Sequence, residues 1–222
     1  MQQRSAVVFD LDGTLTDTEE LWDEVRRELA AIDGVKYRAE HTIAQMGMST
    51  REWSTYVSEV VGLHGTPEEN AGRIIGRLVG KYRHQLPVLS GAVQAVQRMA
   101  KLGPLGLASS SPRLLIDTAL EVMGITELFA SVRSTEEGAG RGKPAPDGYL
   151  WVCEQLGVEP SRAVAIEDSS NGILSALNAG MKVIAIPPSF HPPSAVVLAR
   201  VDRVLDSLDE LTPDLVTALL AD

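Results

Sequence analysis

Short continuous apolar runs, separated by helix-length stretches, constrain this chain more than any other feature. Ala6–Phe9, Leu105–Ala108, Val164–Ile166 and Val183–Ile186 are unbroken rather than alternating, and Arg203–Leu205 is a weaker run of the same kind. Unbroken runs of this length read as strands buried on both faces of a parallel sheet. Between them, Ala92–Leu102, Leu114–Met123, Gly148–Leu156 and Gly172–Ala179 repeat apolar residues at helical spacing, and each stops at glycine: Gly103, Gly124, Gly157 and Gly180. Strands alternating with such helices build βαβ units, so the expected fold is α/β with a Rossmann-like, doubly wound parallel sheet. Ligands of such sheets bind beyond the carboxyl ends of the strands.

One interval breaks the alternation. From Thr18 to Leu86 no run reads as a strand, while Leu21–Ile32, Ile43–Met46, Trp53–Val61 and Ala71–Tyr82 carry helical patterns. The expected organisation is a Rossmann-like core of residues 1–17 and 87–222 with an all-helical insert of residues 18–86. The polar stretch after Leu15 and Gln85-Leu86-Pro87-Val88 would be its two connections. An insert that leaves from a strand's carboxyl end stands over the ligand edge and reads as a lid. Pro187-Pro188 and Pro192-Pro193 mark a stiff late loop.

Charge narrows the partners. The 222 residues hold 30 Asp+Glu against 20 Lys+Arg, a net charge of −10. That balance argues against nucleic acid or an anionic membrane as the main partner, since both call for basic surface. It leaves small anions open, because they respond to local charge. The single cysteine, Cys153, rules out an internal disulfide framework and any multi-cysteine metal site, and its apolar helical setting reads as a buried thiol. No stretch approaches the roughly 20 apolar residues of a membrane helix and no secretory signal is visible, so a soluble, cytoplasmic protein is expected.

Four segments at the expected ligand edge carry the chemistry. In Asp10-Leu11-Asp12-Gly13-Thr14-Leu15, two carboxylates leave one buried strand close together. Close carboxylates repel and need a cation or a shared proton, and Mg²⁺ suits such donors combined with phosphate oxygens. Gly13 would let backbone approach an anion closely. Ala108-Ser109-Ser110-Ser111-Pro112-Arg113 places hydroxyls and free N–H groups before a helix, a ready anion site. Ser111 reads equally well as a helix cap, since Pro112 suits the first helical position. In Gly142-Lys143-Pro144-Ala145-Pro146-Asp147 a lysine is fixed by two prolines. Ile166-Glu167-Asp168-Ser169-Ser170-Asn171-Gly172 again pairs acids at a strand end.

Taken in order, Phe9-Asp10-Leu11-Asp12-Gly13-Thr14-Leu15, Ala108-Ser109-Ser110, Lys143-Pro144-Ala145-Pro146-Asp147 and Glu167-Asp168-Ser169 resemble the motifs of the haloacid dehalogenase superfamily. The similarity is to its β-phosphoglucomutase-like subgroup, among the sugar-phosphate phosphatases, and the insert corresponds to that family's cap. The resemblance implies that Asp10 is a nucleophile forming an aspartyl-phosphate and also a Mg²⁺ ligand. It implies that Asp12 is general acid and base and lends its backbone carbonyl to the metal. Asp168 would ligate Mg²⁺, with Glu167 supporting it. Ser109 and Lys143 would hold phosphoryl oxygens, with backbone N–H groups near Asp12 and Ser110 assisting. The implied partner is a small phosphorylated metabolite.

Within the family, Asp12 and the Glu167-Asp168 pair speak against metal-free dehalogenation. Mutases similar to β-phosphoglucomutase often carry a histidine about ten residues beyond the second motif aspartate, where this chain has Trp22. In Gly47-Met48-Ser49-Thr50-Arg51 the arginine falls one position later than the mutase pattern. Hydrolysis is therefore expected ahead of phosphoglucomutase-type transfer. A non-catalytic phospho-ligand sensor on the same fold should have lost Asp10, Asp12, Lys143 or Asp168, and all four are present. Trp22 and Arg51 are candidate substrate contacts, with Ser110 and Gly13 beside the phosphate, whereas Trp53 reads as packing. Arg73, Arg77 and Lys81 form a helical stripe that reads as a solvated face. His41, His64, His84 and His191 stand at no metal-ligand spacing. Glu136-Glu137-Gly138-Ala139-Gly140-Arg141-Gly142 is richer in glycine than the loop usual before this lysine and reads as a length variation.

Overall fold

The computed structural model describes residues 4–45, 48–138, 140–189 and 192–221. Met46, Gly47, Ala139 and His191, each singled out above, lie outside them. The strands are β1 (Ala6–Phe9), β2 (Leu105–Ser109), β3 (Phe129–Ser134), β4 (Ala163–Glu167), β5 (Lys182–Ala185) and β6 (Arg203–Val204). They form one parallel sheet in the order β3-β2-β1-β4-β5-β6. The expected doubly wound sheet is present. Strand β3 is the one the apolar runs do not announce. It lies at the sheet's edge and keeps exposed or half-buried residues within it, so its sequence never becomes a continuous apolar run.

Four helices follow β1: α1 (Glu19–Ile32), α2 (Ala39–Ala44), α3 (Thr50–Tyr56), prolonged by a π-helical turn at Val57–Val61, and α4 (Pro67–Gln85). Two have reciprocal caps, in which a hydroxyl and a glutamate satisfy orphan backbone donors: Ser49 with Glu52 for α3, and Thr66 with Glu69 for α4. No strand occurs among the described residues of this insert. The chain leaves and returns side by side, since Asp17 N–H donates to the Pro87 carbonyl at 2.9 Å and Leu89 N–H to the Leu15 carbonyl at 2.9 Å. The Arg73, Arg77 and Lys81 stripe does more than face solvent. Arg73 pairs with Asp33 at 2.6 Å, and Lys81 reaches Glu24 at 3.0 Å and Glu28 at 2.9 Å, so the stripe ties α4 to α1.

The remaining helices are α5 (Ala92–Met99), α6 (Arg113–Met123), α7 (Asp147–Leu156), α8 (Ser170–Asn178), α9 (Ala195–Leu198) and α10 (Pro213–Ala221). Successive residues of a strand face opposite ways, and β1 shows the consequence. Val7 and Phe9 join a cluster with residues of α5, α6 and α10, while Ala6 and Val8 join another with α7 and α8. The first cluster continues without a break into the insert through Val25, Leu29, Trp53, Ile74, Leu78 and Tyr82. The helical insert is thus held to the sheet's carboxyl edge by apolar packing as well as by its two connections.

Candidate active site

Phe9 of β1 pairs with Ile166 of β4, so Asp10 and the Glu167-Asp168 pair leave adjacent strands together. The Asp10 N–H donates to the Ile166 carbonyl at 3.0 Å. Strands β2 and β3 lie on one side of β1, and β4 to β6 on the other. This divergence opens the crevice that α/β sheets offer to ligands.

Carboxylate oxygens of Asp10, Glu167 and Asp168 lie within 4.8 Å of one another, and all three residues are buried. Lys143 Nζ is set among them, 2.6 Å from Asp10 Oδ1 and 2.5 Å from Glu167 Oε1. The Tyr149 hydroxyl donates to Glu167 Oε1 at 2.7 Å, and its ring centre lies 5.2 Å from Nζ. Glu167 Oε2 accepts from the Asp168 N–H at 3.2 Å and the Ser169 hydroxyl at 3.3 Å. Glu167 therefore orients the lysine and the following loop, while Thr14 donates to Asp168 Oδ1 at 3.3 Å.

Burial pushes the Asp10 carboxyl up to about 7, with Lys143 opposing and Glu167 and Asp12 adding to the rise. Burial, then Asp10 and Glu167, push Asp168 up to about 9. Burial opposes the Lys143 ammonium as well, but the Asp10 and Glu167 carboxylates outweigh it and hold its pKa above the usual lysine value. Three buried acids face one ammonium, so the cluster is short of positive charge. Its donors are hard oxygens, which suit a divalent cation.

Two glycines make room for these carboxylates. Gly13 has φ +85°, and a Cβ there would fall 2.0 Å from Asp168 Oδ2. A Cβ on Gly172 would fall 2.0 Å from both Glu167 oxygens. The motif glycine after Asp12 is thus required by a close approach to Asp168, a protein carboxylate.

Asp12 stands apart from the acidic trio and sits among hydroxyls. Thr18 donates to Oδ1 at 2.8 Å, Ser111 to Oδ2 at 2.6 Å, and Ser109 to Oδ2 at 3.4 Å. Ser111 is therefore a partner of Asp12 and not the cap of α6, which starts after Pro112 without a side-chain cap. Its own N–H donates to Ser109 Oγ at 3.0 Å.

A cavity of about 1060 Å³ opens between this edge and the insert, lined by Asp10, Asp12, Ser109, Ser110, Lys143 and Asp168 from below. Trp22, Arg26, Gln45, Thr50, Arg51 and Trp53 line it from the insert. Trp22 is half-buried and meets buried Trp53 edge-on, ring centres 5.5 Å apart, while Ser110 and Arg51 are exposed. Gly13 lies beneath Asp168 and is not among the lining residues. Thr18, Tyr149, Gly172 and Arg26 are site residues that motif reading passes over. Arg26 had a usable signal: it lies one helical turn from Trp22, on the face of α1 that also buries Val25 and Leu29. Tyr149 had none beyond an apolar helix pattern.

Comparison with known proteins agrees with this geometry. Residues 5–180 match the model of the haloacid dehalogenase-like hydrolases. Hexitol phosphatase B of Escherichia coli (strain K12) is 32% identical over 222 residues, covering 95% of this chain and 96% of the relative. Validoxylamine A 7'-phosphate phosphatase of Streptomyces hygroscopicus subsp. limoneus is 29% identical, covering 92% and 94%. Among solved structures, CbbY of Rhodobacter sphaeroides bound to xylulose-1,5-bisphosphate superposes with a TM-score of 0.79 at 25% identity, covering 93% of this chain and 96% of the other. A sheet edge that gathers these acids around one lysine, read with matches over nearly the whole chain, settles the family: this protein belongs to the haloacid dehalogenase-like hydrolases, on their phosphatase side.

Proposed function

We propose that the protein is a Mg²⁺-dependent phosphomonoesterase that works through an aspartyl-phosphate on Asp10, with a small phosphorylated carbohydrate as substrate. The observation that carries this reading is the set of three buried carboxylates around the Lys143 ammonium at the crevice. Their excess negative charge and oxygen-only donors fit Mg²⁺. Asp10 and Asp168 would hold the ion, with Glu167 positioned behind them and the Asp12 backbone carbonyl completing the protein's share. Bound there, it would offset charge on the phosphoryl group and orient it.

In the first step an Asp10 carboxylate oxygen attacks phosphorus as the bond to the ester oxygen breaks, and Asp12 gives its proton to the leaving alkoxide. In the second, Asp12 takes a proton from water as that water attacks phosphorus, breaking the bond to Asp10 and releasing phosphate. The hydroxyls around Asp12 suit both duties, because Thr18 and Ser111 can rotate between donating and accepting. Lys143 and Ser109 would stabilise the phosphoryl oxygens electrostatically. We read residues 18–86 as a cap that excludes water from the crevice, which protects the aspartyl-phosphate from uncontrolled hydrolysis. The carbohydrate assignment draws on relatives that act on hexitol and validoxylamine phosphates. Trp22, at a position where mutases often carry a histidine, supports hydrolysis over transfer to a second hydroxyl.

Phosphate release from a panel of sugar and polyol phosphates, with and without Mg²⁺, tests the reading. Asp10→Asn should fall below detection, and wild-type protein quenched during turnover should carry a phosphoryl adduct at Asp10. An active Asp10→Asn, turnover undiminished by chelator, or conversion of a hexose 1-phosphate to its 6-phosphate without phosphate release would each overturn it.

A further inference from the structure

The insert's side of the cavity contains a charged group that the reaction at Asp10 does not use. Arg26 is 7% exposed and lines the cavity, yet it has no ion pair among the described residues, and its Nε has no hydrogen-bond partner there. Its guanidinium carbon lies 5.0 Å from the Trp22 ring centre and 5.9 Å from that of Trp53, a stacking that holds the planar group by its faces and leaves Nε free. Among the described residues, only the Tyr37 hydroxyl and the Asp23 carboxylate, the latter beyond ion-pair distance, answer its charge. Burying a cation so weakly matched is costly, so a partner supplied from the cavity would lower the free energy of the whole arrangement.

Gln45 says what kind of partner. It is 3% exposed and lines the same cavity. Its Nε2 donates to the His41 carbonyl at 2.8 Å and to the Tyr37 hydroxyl at 2.9 Å. A carbonyl only accepts, so this contact fixes the amide's orientation and leaves Oε1 as an acceptor without a partner among the described residues. Tyr37 also adjoins the Arg26 guanidinium, which brings the two groups to one neighbourhood.

A phosphate or carboxylate would satisfy Arg26 but repel Gln45 Oε1, and Glu19 and Glu52 on the same wall add to that repulsion. A hydroxyl satisfies both, accepting from the arginine while donating to the glutamine. Trp22 and Trp53 offer ring surface to the C–H groups of a carbon skeleton. We propose that Arg26 and Gln45 are the specificity-determining pair of this site, reading neutral hydroxyls on the carbon chain or ring of a phosphorylated polyol or sugar. The pair discriminates against substrates whose far end carries a second anionic group.

This inference rests on the phosphatase reading, and the test separates the two. Hydrolysis of sorbitol 6-phosphate, fructose 1,6-bisphosphate and p-nitrophenyl phosphate is compared for wild type, Arg26→Met and Gln45→Met, with thermal melts to establish that each variant is folded. The aryl ester has no hydroxyl for the pair to read, so it reports the chemistry at Asp10 alone. Each substitution should raise KM for sorbitol 6-phosphate by at least about tenfold, the scale of a charged or buried hydrogen bond. The loss on the aryl ester should be at least about threefold smaller than the loss on sorbitol 6-phosphate. Equal losses on both monoesters in folded variants, or a bisphosphate that is the better substrate and the more affected by Arg26→Met, would overturn the pair's role. If wild type hydrolyses none of the three, the phosphatase reading fails and this inference fails with it. Should folding of one variant be impaired, the other carries the comparison.

Discussion

A methyl group at position 13 would occupy space already held by an oxygen of Asp168, and this shows how tightly the site constrains single residues. Gly13 and Gly180 both adopt left-handed backbone, φ +85° and +81°, but a Cβ on Gly180 would meet nothing within 4 Å. Alanine at either position costs about 1 kcal/mol of backbone strain. Only Gly13→Ala also displaces a carboxylate of the acidic trio, and displacing a catalytic-site group by about 1 Å costs on the order of 10²-fold in rate. Gly13→Ala should therefore lose activity on that scale while Gly180→Ala stays near wild type, with both melting below wild type and Gly13→Ala the lower of the two. Equal activities in the two variants would remove the steric role assigned to Gly13. At this scale the sequence was legible where the chemistry is carried by carboxylates next to apolar runs, as for Asp10 and Asp168. It was opaque where a residue's duty depends on what the fold brings near. Ser111 reads as a cap until Asp12 is seen 2.6 Å away. Tyr149 reads as helix core until its hydroxyl is seen on Glu167.

At the scale of elements, the strands most legible in the sequence are β1, β2, β4 and β5, whose buried residues call for unbroken apolar sequence, while exposed β6 left only a weak run. Strand β3, with one neighbour and burial that varies along its length, left no such run. The charged stripe of α4 shows the complementary blindness: helical spacing puts Arg73 and Lys81 on one face but cannot say that α1 presents Glu24 and Glu28 to it, together with Asp33, the residue that ends α1. One further contact links elements far apart in the chain. Glu136, in the turn after β3, accepts a hydrogen bond at 2.7 Å from the Thr50 N–H at the start of α3. The glycine-rich stretch before Lys143 thus begins with a residue that fastens core to insert directly over the cavity. Because the contact is exposed, it is worth only about 0.5–1.5 kcal/mol, enough to shift a closing equilibrium several-fold. Glu136→Ala should raise KM for a sugar phosphate about three- to tenfold with a smaller change in kcat, the pattern of lost binding rather than lost transition-state stabilisation. A fall in kcat with unchanged KM would instead place Glu136 in the chemistry.

For the whole molecule, the net charge of −10 and the acidic cluster pose one question: what holds negative charge together in a folded chain. Asp10 and Asp168 have folded pKa values raised to about 7 and about 9 from 3.8. Below about pH 4 both are protonated, folded or unfolded, and burying them carries no ionisation penalty. As pH rises, the unfolded chain releases these protons first while the fold retains them, so stability falls progressively until both have ionised in the fold as well. A bound divalent cation reverses this, because it favours the ionised carboxylates and competes with their protons. Metal-stripped protein should therefore lose melting temperature between about pH 5 and pH 9, and saturating Mg²⁺ should restore more of it at pH 9 than at pH 5. Asp168→Asn, which removes the more strongly raised group, should flatten the metal-free profile and shrink the Mg²⁺ effect together. A Mg²⁺ shift equal at both pH values, or one that survives Asp168→Asn undiminished, would mean that the ion binds elsewhere on this acidic surface. The predicted coupling follows from the fold: adjacent strands of a buried sheet release their carboxylates at one edge, and Lys143 alone leaves them short of positive charge.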